Sequence, residues 1–294
     1  MENQNFVNFK RVRGLGDMLS DTFKFLSSEW QPFFTTIVKI AIVPVLIAIC
    51  AAIYFVMSTS SFYGDVLQLN DYDSDFNFNF SGIFLPLLLF VFCYLVAYAL
   101  VTVASLSYIK SYINNRGVVN YQEIQSDTKE KFWPYVGLFF LVGIIVGVGL
   151  LFCFLPGIYF GVVLSLSICL LIFQNTGVLD AISDSFTFIK DHWWETFGIL
   201  IVVQILIAIV TFFVDLPASI YLGGDFASML QNQESTDVLN IFTDPIYLLL
   251  VAISYLVKFI LYIISTIVTV FIYFDIKEQH NPTSDDFIDE IGMG

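Results

Sequence analysis

Lys258 lies deep inside an apolar run, with Tyr255, Tyr262, Ser265, Thr269 and Tyr273 around it at spacings of three and four residues. That spacing puts all six on one face of a helix. An ammonium at such depth is expensive among lipid tails and ordinarily faces protein or water. Gln204, Thr211 and Asp215 form a second polar stripe, and Tyr94, Tyr98, Thr102 and Ser105 form a third. Together the three stripes could line a small hydrophilic crevice around a cationic centre. By depth, Gln204 and the hydroxyls of Tyr255 and Tyr262 are the expected partners of Lys258. Asp215 belongs to the same set but reads as too close to the outer end of its run for direct contact. The competing reading is that Lys258 snorkels and the hydroxyls bond their own helix carbonyls. Lys39, near the inner end of the first run, reads as a snorkelling side chain.

Other chemistry has little to build on. The chain has two histidines, His192 and His280, on separate segments, too few for a centre built from several imidazoles. Asp71-x-Asp73-x-Asp75 is similar to the opening of a calcium loop, but lacks the turn glycine and the later bidentate glutamate. A solvated acidic loop is the simpler account. Cys50, Cys93, Cys153 and Cys169 all fall in apolar runs with no CxxC among them, and read as small core residues. No glycine-rich phosphate loop is present; Gly143-x-x-x-Gly147 is a helix-packing signature instead. No catalytic residue, metal ligand or cofactor site is expected, so the chain reads as a non-enzyme.

The elements that position these residues follow from composition. Hydrophobic residues are 57% of the 294 and charged residues 13%, about half the charge of a soluble domain. Apolar runs long enough to cross a bilayer occur at about 33–57, 83–109, 134–155, 157–175, 196–215 and 246–274. The fold class expected is an all-α polytopic membrane protein with six transmembrane helices, in one integral membrane domain over 1–294. Lys10, Arg11, Arg13 and Lys24 precede the first run, and Lys110, Arg116, Lys129 and Lys131 lie between the second and third. Lys190 lies between the fourth and fifth, and Lys277 follows the sixth. The loops after the first and fifth runs carry no Lys or Arg, only acidic residues such as Asp65, Asp71, Asp225 and Glu234. Both termini are therefore expected in the cytoplasm. The net charge of −14 reflects acidic loops and an acidic tail over 278–294, and no basic patch speaks for nucleic acid. The first run is too long for the apolar core of a cleaved signal and is expected to stay in the mature protein.

An internal repeat organises the runs. Gly14–Phe34 and Gly177–Phe197 match at Gly14/Gly177, Asp17/Asp180, Ser20/Ser183, Asp21/Asp184, Phe23/Phe186, Phe25/Phe188, Trp30/Trp193 and Phe34/Phe197. Each segment is amphipathic at helical period and is expected to lie in the membrane interface. Trp30 and Trp193 then anchor the headgroup level. A weaker copy, Tyr121–Tyr135, ends at Trp133-Pro134. The expected plan is three hairpins, each preceded by an interfacial helix, in pseudo-threefold parallel units of about 14–110, 118–175 and 177–277. Phe154-Leu155-Pro156-Gly157-Ile158 reads as a tight outer turn in which proline ends one helix and glycine relaxes the backbone. Asp75–Ser81 alternates polar and aromatic residues, as a strand or an extended segment on the membrane would.

Leu155-Pro156-Gly157-Ile158-Tyr159, the apolar run after it, and Gly177, Ala181, Ser183, Ser185 and Trp193 resemble a widespread bacterial membrane-domain family. Members of that family occur fused ahead of some glycerophosphodiester phosphodiesterases and also as stand-alone proteins. Tyr273-Phe274-Asp275-Ile276-Lys277 is similar to that family's Tyr-x-Asp-Leu-Arg ending. This chain has no soluble catalytic domain, so the resemblance implies a six-span protein of the bacterial inner membrane and no hydrolase activity. Two functions are open at this point. One is an accessory or scaffold subunit of an envelope complex, with membrane lipids and protein partners. The other is a carrier or lipid-handling protein that uses the crevice around Lys258.

Overall fold

The computed structural model describes residues 7–68, 81–232 and 241–280. Asp71-x-Asp73-x-Asp75, the alternating segment up to Phe80 and the acidic tail from 281 onward lie outside the described residues. Eight α-helices are described: α1 Leu15–Gln68, α2 Ser81–Asn114, α3 Tyr121–Phe152, α4 Phe154–Leu164, α5 Ser167–Phe173, α6 Val178–Ile189, α7 Trp193–Asn232 and α8 Pro245–His280. No strand occurs among the described residues. Six segments are long and apolar enough to cross a membrane, and they overlap the six runs expected from the sequence. The chain is a multi-pass helical membrane protein.

Several helices run further than their apolar cores. Residues 58–68 and 216–232, expected in outer loops, continue α1 and α7. Pro86, Pro134 and Pro217 lie within α2, α3 and α7, a placement that membrane helices tolerate because neighbouring groups satisfy the freed carbonyl.

The chain divides into two compact units. Unit 1 comprises Met1–Ile40, Ala99–Ile205 and Tyr262–Gly294; unit 2 comprises Ala41–Tyr98 and Leu206–Leu261. In unit 1, α2 and α3 form an antiparallel hairpin. Its turn uses a left-handed glycine, Gly117 (φ 91°), whose N–H donates to the Tyr112 carbonyl at 2.9 Å and closes the helix end. Asn120 then caps α3 through the Gln122 N–H at 3.0 Å. Polar side chains bolt the hairpin together: Lys110 Nζ and the Ser107 hydroxyl meet Asp127 at 3.0 and 2.8 Å, and the Ser111 hydroxyl meets Glu123 at 3.0 Å. Lys110 also reaches Asn175, at 3.3 Å, in the turn before α6.

The reversal between α3 and α4 differs from expectation. The chain breaks at Cys153, in extended backbone (φ −167°, ψ 143°), and Pro156 already sits in the first turn of α4, where its missing N–H costs nothing. Gly157 is helical and serves a close crossing. A Cβ on it would overlap Leu150 Cγ and Cδ2 and lie 2.8 Å from that residue's main-chain N. Across the same contact, a Cβ on Gly149 would lie 3.0 Å from Gly157 Cα. By contrast, Gly143 and Gly147 have nothing within 4 Å of an added Cβ. The packing glycines are therefore Gly149 and Gly157.

The two matched segments share a burial pattern. At the same constant offset, Met18/Ala181, Thr22/Ser185, Leu26/Ile189 and Thr36/Ile199 are all buried, while Asp17/Asp180, Ser20/Ser183 and Lys24/Thr187 are all exposed. They differ in their exits. A 3-10 turn at Lys190–His192 separates α6 from α7, whereas the first segment runs into its span without a break as part of α1. A separate interfacial helix at 15–29 is thus not set off in the fold.

Candidate functional site

Unit 2 contains the centre of the polar stripes. Apolar residues cover most of the surface of α7 and α8 there, with Ile209, Phe212, Phe213, Leu249, Ile253 and Leu256 all exposed. Into this surface α7 contributes Asp215 and α8 contributes Lys258, and the ammonium lies 3.0 Å from Asp215 Oδ1. The side chains keep 28% and 38% of their accessible surface, so the pair is neither sealed in the core nor fully solvated. One turn along α8, the Ser254 hydroxyl donates to the Val214 carbonyl of α7 at 3.4 Å. Charge and hydroxyl thus set the register of the two helices together.

An aromatic wall backs the pair. Lys258 Nζ sits 5.2 Å from the centre of the Tyr255 ring, within the range of a cation–π contact. Tyr255 packs edge-on against Phe90 of α2 at 5.6 Å and near Tyr94 at 6.1 Å, and Tyr94 also meets Phe259 at 5.4 Å. Phe55 of α1 stacks on Phe90 at 5.7 Å. In a low-dielectric setting a cation is held by such ring faces as well as by its carboxylate.

The sequence-derived set is therefore brought together in part. Lys258, Tyr255 and Asp215 meet, and Tyr94 of the third stripe stands behind them. Asp215 is in direct contact because α7 continues past it to Asn232, so it is not at the end of its helix as expected. Gln204 and Tyr262 belong to unit 1 and are exposed. Several hydroxyls of the stripes bond their own helix, as the competing reading held: Ser105 to the Val101 carbonyl at 2.7 Å and Thr269 to the Ser265 carbonyl at 2.9 Å.

The tryptophans sort differently from expectation. Trp30 and Trp133 are exposed, at 52% and 74%. Trp193 instead stacks on Tyr159 at 5.9 Å and on Phe197 at 5.0 Å, and its buried indole N–H has no hydrogen-bond partner among the described residues. The exposed ring at this position is Trp194, at 77%, which the repeat alignment passed over. Lys39 is exposed, and its ammonium lies 5.7 Å from the ring centre of Tyr121 at the start of α3. Among the described residues, no group of three His, Cys, Asp or Glu side chains is placed to hold a metal ion.

Against known proteins, no family model, no curated protein and no solved structure matches this chain.

Proposed function

We propose that this chain is a non-enzymatic protein of the bacterial inner membrane, an accessory or scaffold subunit of an envelope complex with both termini in the cytoplasm. The observation that carries this reading is the pair of matched amphipathic segments. Each buries one face in unit 1 and leaves the other, with Asp17, Ser20 and Lys24 or Asp180, Ser183 and Asp184, open to a partner. Their shared burial pattern supports a relation between the first and third of the three repeat units; the middle unit rests on the sequence at Tyr121–Tyr135. The resemblance to the membrane-domain family belongs to the same proposal. The pairing of Lys258 with Asp215 at 3.0 Å supports a structural use of the two charges.

The carrier or lipid-handling reading rests on the partial exposure of that pair. One experiment separates the two. The tagged protein is extracted in mild detergent, and the copurifying proteins and lipids are identified for wild type and for the double variant Lys258→Met with Asp215→Leu. A scaffold keeps its stoichiometric protein partners in both. A carrier loses a tightly retained lipid or amphiphile in the double variant. If wild type brings down no stoichiometric protein, the scaffold reading fails.

Topology has its own test. Single cysteines in place of Asp73 and Asn232 should react with an impermeant thiol reagent on intact cells, and one in place of Asn115 should not. Labelling at Asn115 would reverse the orientation.

A further inference from the structure

Lys39 and Lys258 are the two lysines that fall within the apolar runs. Lys258 has its counter-charge in the fold, with Asp215 at 3.0 Å. Lys39, on α1, has no carboxylate partner among the described residues. The protein group that its ammonium meets is the ring of Tyr121, 5.7 Å away. By contrast, Arg13 and Lys110 of unit 1 are satisfied within the fold. Arg13 bonds Asp21 and the carbonyls of Asn8, Phe9 and Arg11. Its guanidinium lies over Phe271 of α8, on which the buried Phe9 stacks at 4.4 Å. Lys110 bonds Asp127 at 3.0 Å. An ammonium beside hydrocarbon is costly without a counter-charge, and a single ring face offsets only part of that cost.

The exposed face of α1 changes character at Lys39. On the N-terminal side of it Gln31 and Thr35 are exposed; on the C-terminal side Ile42, Val43, Leu46 and Ile47 are. Their spacing puts them on the same side of the helix as Lys39. Helix side chains leave the backbone tilted toward the N-terminus, so the ammonium is carried to the polar side of this step. There Tyr121 opens α3 with its side chain exposed. A lysine and a tyrosine at a polar-to-apolar step fit the level where lipid headgroups meet acyl chains. We propose that Lys39 and Tyr121 form a docking site for the phosphate of an anionic phospholipid, whose acyl chains lie along the aliphatic face of α1. The ammonium neutralises the phosphate. The Tyr121 hydroxyl, which has no protein partner among the described residues, donates to a phosphate oxygen. A lipid fits better than a protein carboxylate because the surface beyond the cation is purely aliphatic. The site serves a scaffold and a carrier alike.

Native mass spectrometry of the full chain in detergent tests the site, with phosphatidylglycerol as the anionic probe and phosphatidylcholine as the zwitterionic one. Wild type should bind its first phosphatidylglycerol about fivefold more tightly than Lys39→Gln does, the factor for one lysine at a membrane surface. Lys39→Gln should treat the two lipids alike, and Lys39→Arg should keep the preference for the anionic one. Tyr121→Phe should weaken phosphatidylglycerol by about two- to tenfold, the range for one hydrogen bond. Lys24→Gln removes an exposed lysine elsewhere on α1 and should change nothing. Equal affinity of wild type and Lys39→Gln would overturn the proposal. An equal loss in Lys24→Gln would do so too, since it would mean a diffuse field rather than a site. Inorganic phosphate should not compete; displacement of the lipid by an equal concentration of it would mean a plain anion site. A protein that cross-links to position 39 and excludes the lipid would replace the lipid reading.

Discussion

Gly157→Val prevents α4 from seating against α3, and little folded protein is recovered from detergent extracts. A Cβ at this position overlaps the Leu150 side chain and approaches its main-chain N to 2.8 Å. The side chain could turn away, but the backbone cannot without separating the two helices. Overpacking a close contact costs about 1–3 kcal/mol, and more where backbone must move; here about 3 kcal/mol or more is expected. Gly143→Val is the control, since nothing lies within 4 Å of its added Cβ, and it should change the unfolding temperature little. Thermal unfolding of both variants in the same detergent is the measurement. Equal behaviour of the two would mean that the crossing is looser than the atomic positions imply.

Lys258→Met and Asp215→Leu each destabilise the protein, and the double variant recovers most of the loss. Each single change leaves a charge among apolar side chains without its counterion 3.0 Å away. Breaking a buried pair costs about 3–5 kcal/mol, whereas replacing both members by apolar residues is often neutral or better. Partial exposure of both side chains lowers the expected single-variant cost to about 2–3 kcal/mol. The readout is a double-mutant cycle from unfolding midpoints. A coupling near zero would show that water or headgroups already screen the pair.

Span number and position were legible because length and apolar composition are enough to define a membrane helix. The ends of those helices were not. Asp215 is the last residue of its apolar run, and the end of a run reads locally as the end of a helix, too near the outer surface to meet Lys258; α7 instead continues past it to Asn232. Pro156-Gly157 carries a turn signal for the same reason, although the proline sits in a first helical turn and the glycine faces another helix. What a glycine faces depends on residues brought near by folding, which a local pattern does not contain. Trp193 and Trp194 are adjacent, and which ring packs is settled by contacts with Tyr159 of α4 and Phe197 that folding brings together. Arg13 read as a topogenic charge; its main-chain N–H meets Asp275, 262 residues further on, and its guanidinium lies over the Phe271 ring.

That separation orders events during biosynthesis. When Arg13 leaves the ribosome, the aromatic residues of α8 and Asp275 have not been made. At about 5–20 residues per second, roughly 13–50 s pass before they are. Throughout that interval Phe9 and the Arg13 guanidinium lack their final surroundings, and five of the six apolar segments enter the bilayer first. Residues 7–13 thus reach their final places only after most of the chain that follows them has been made.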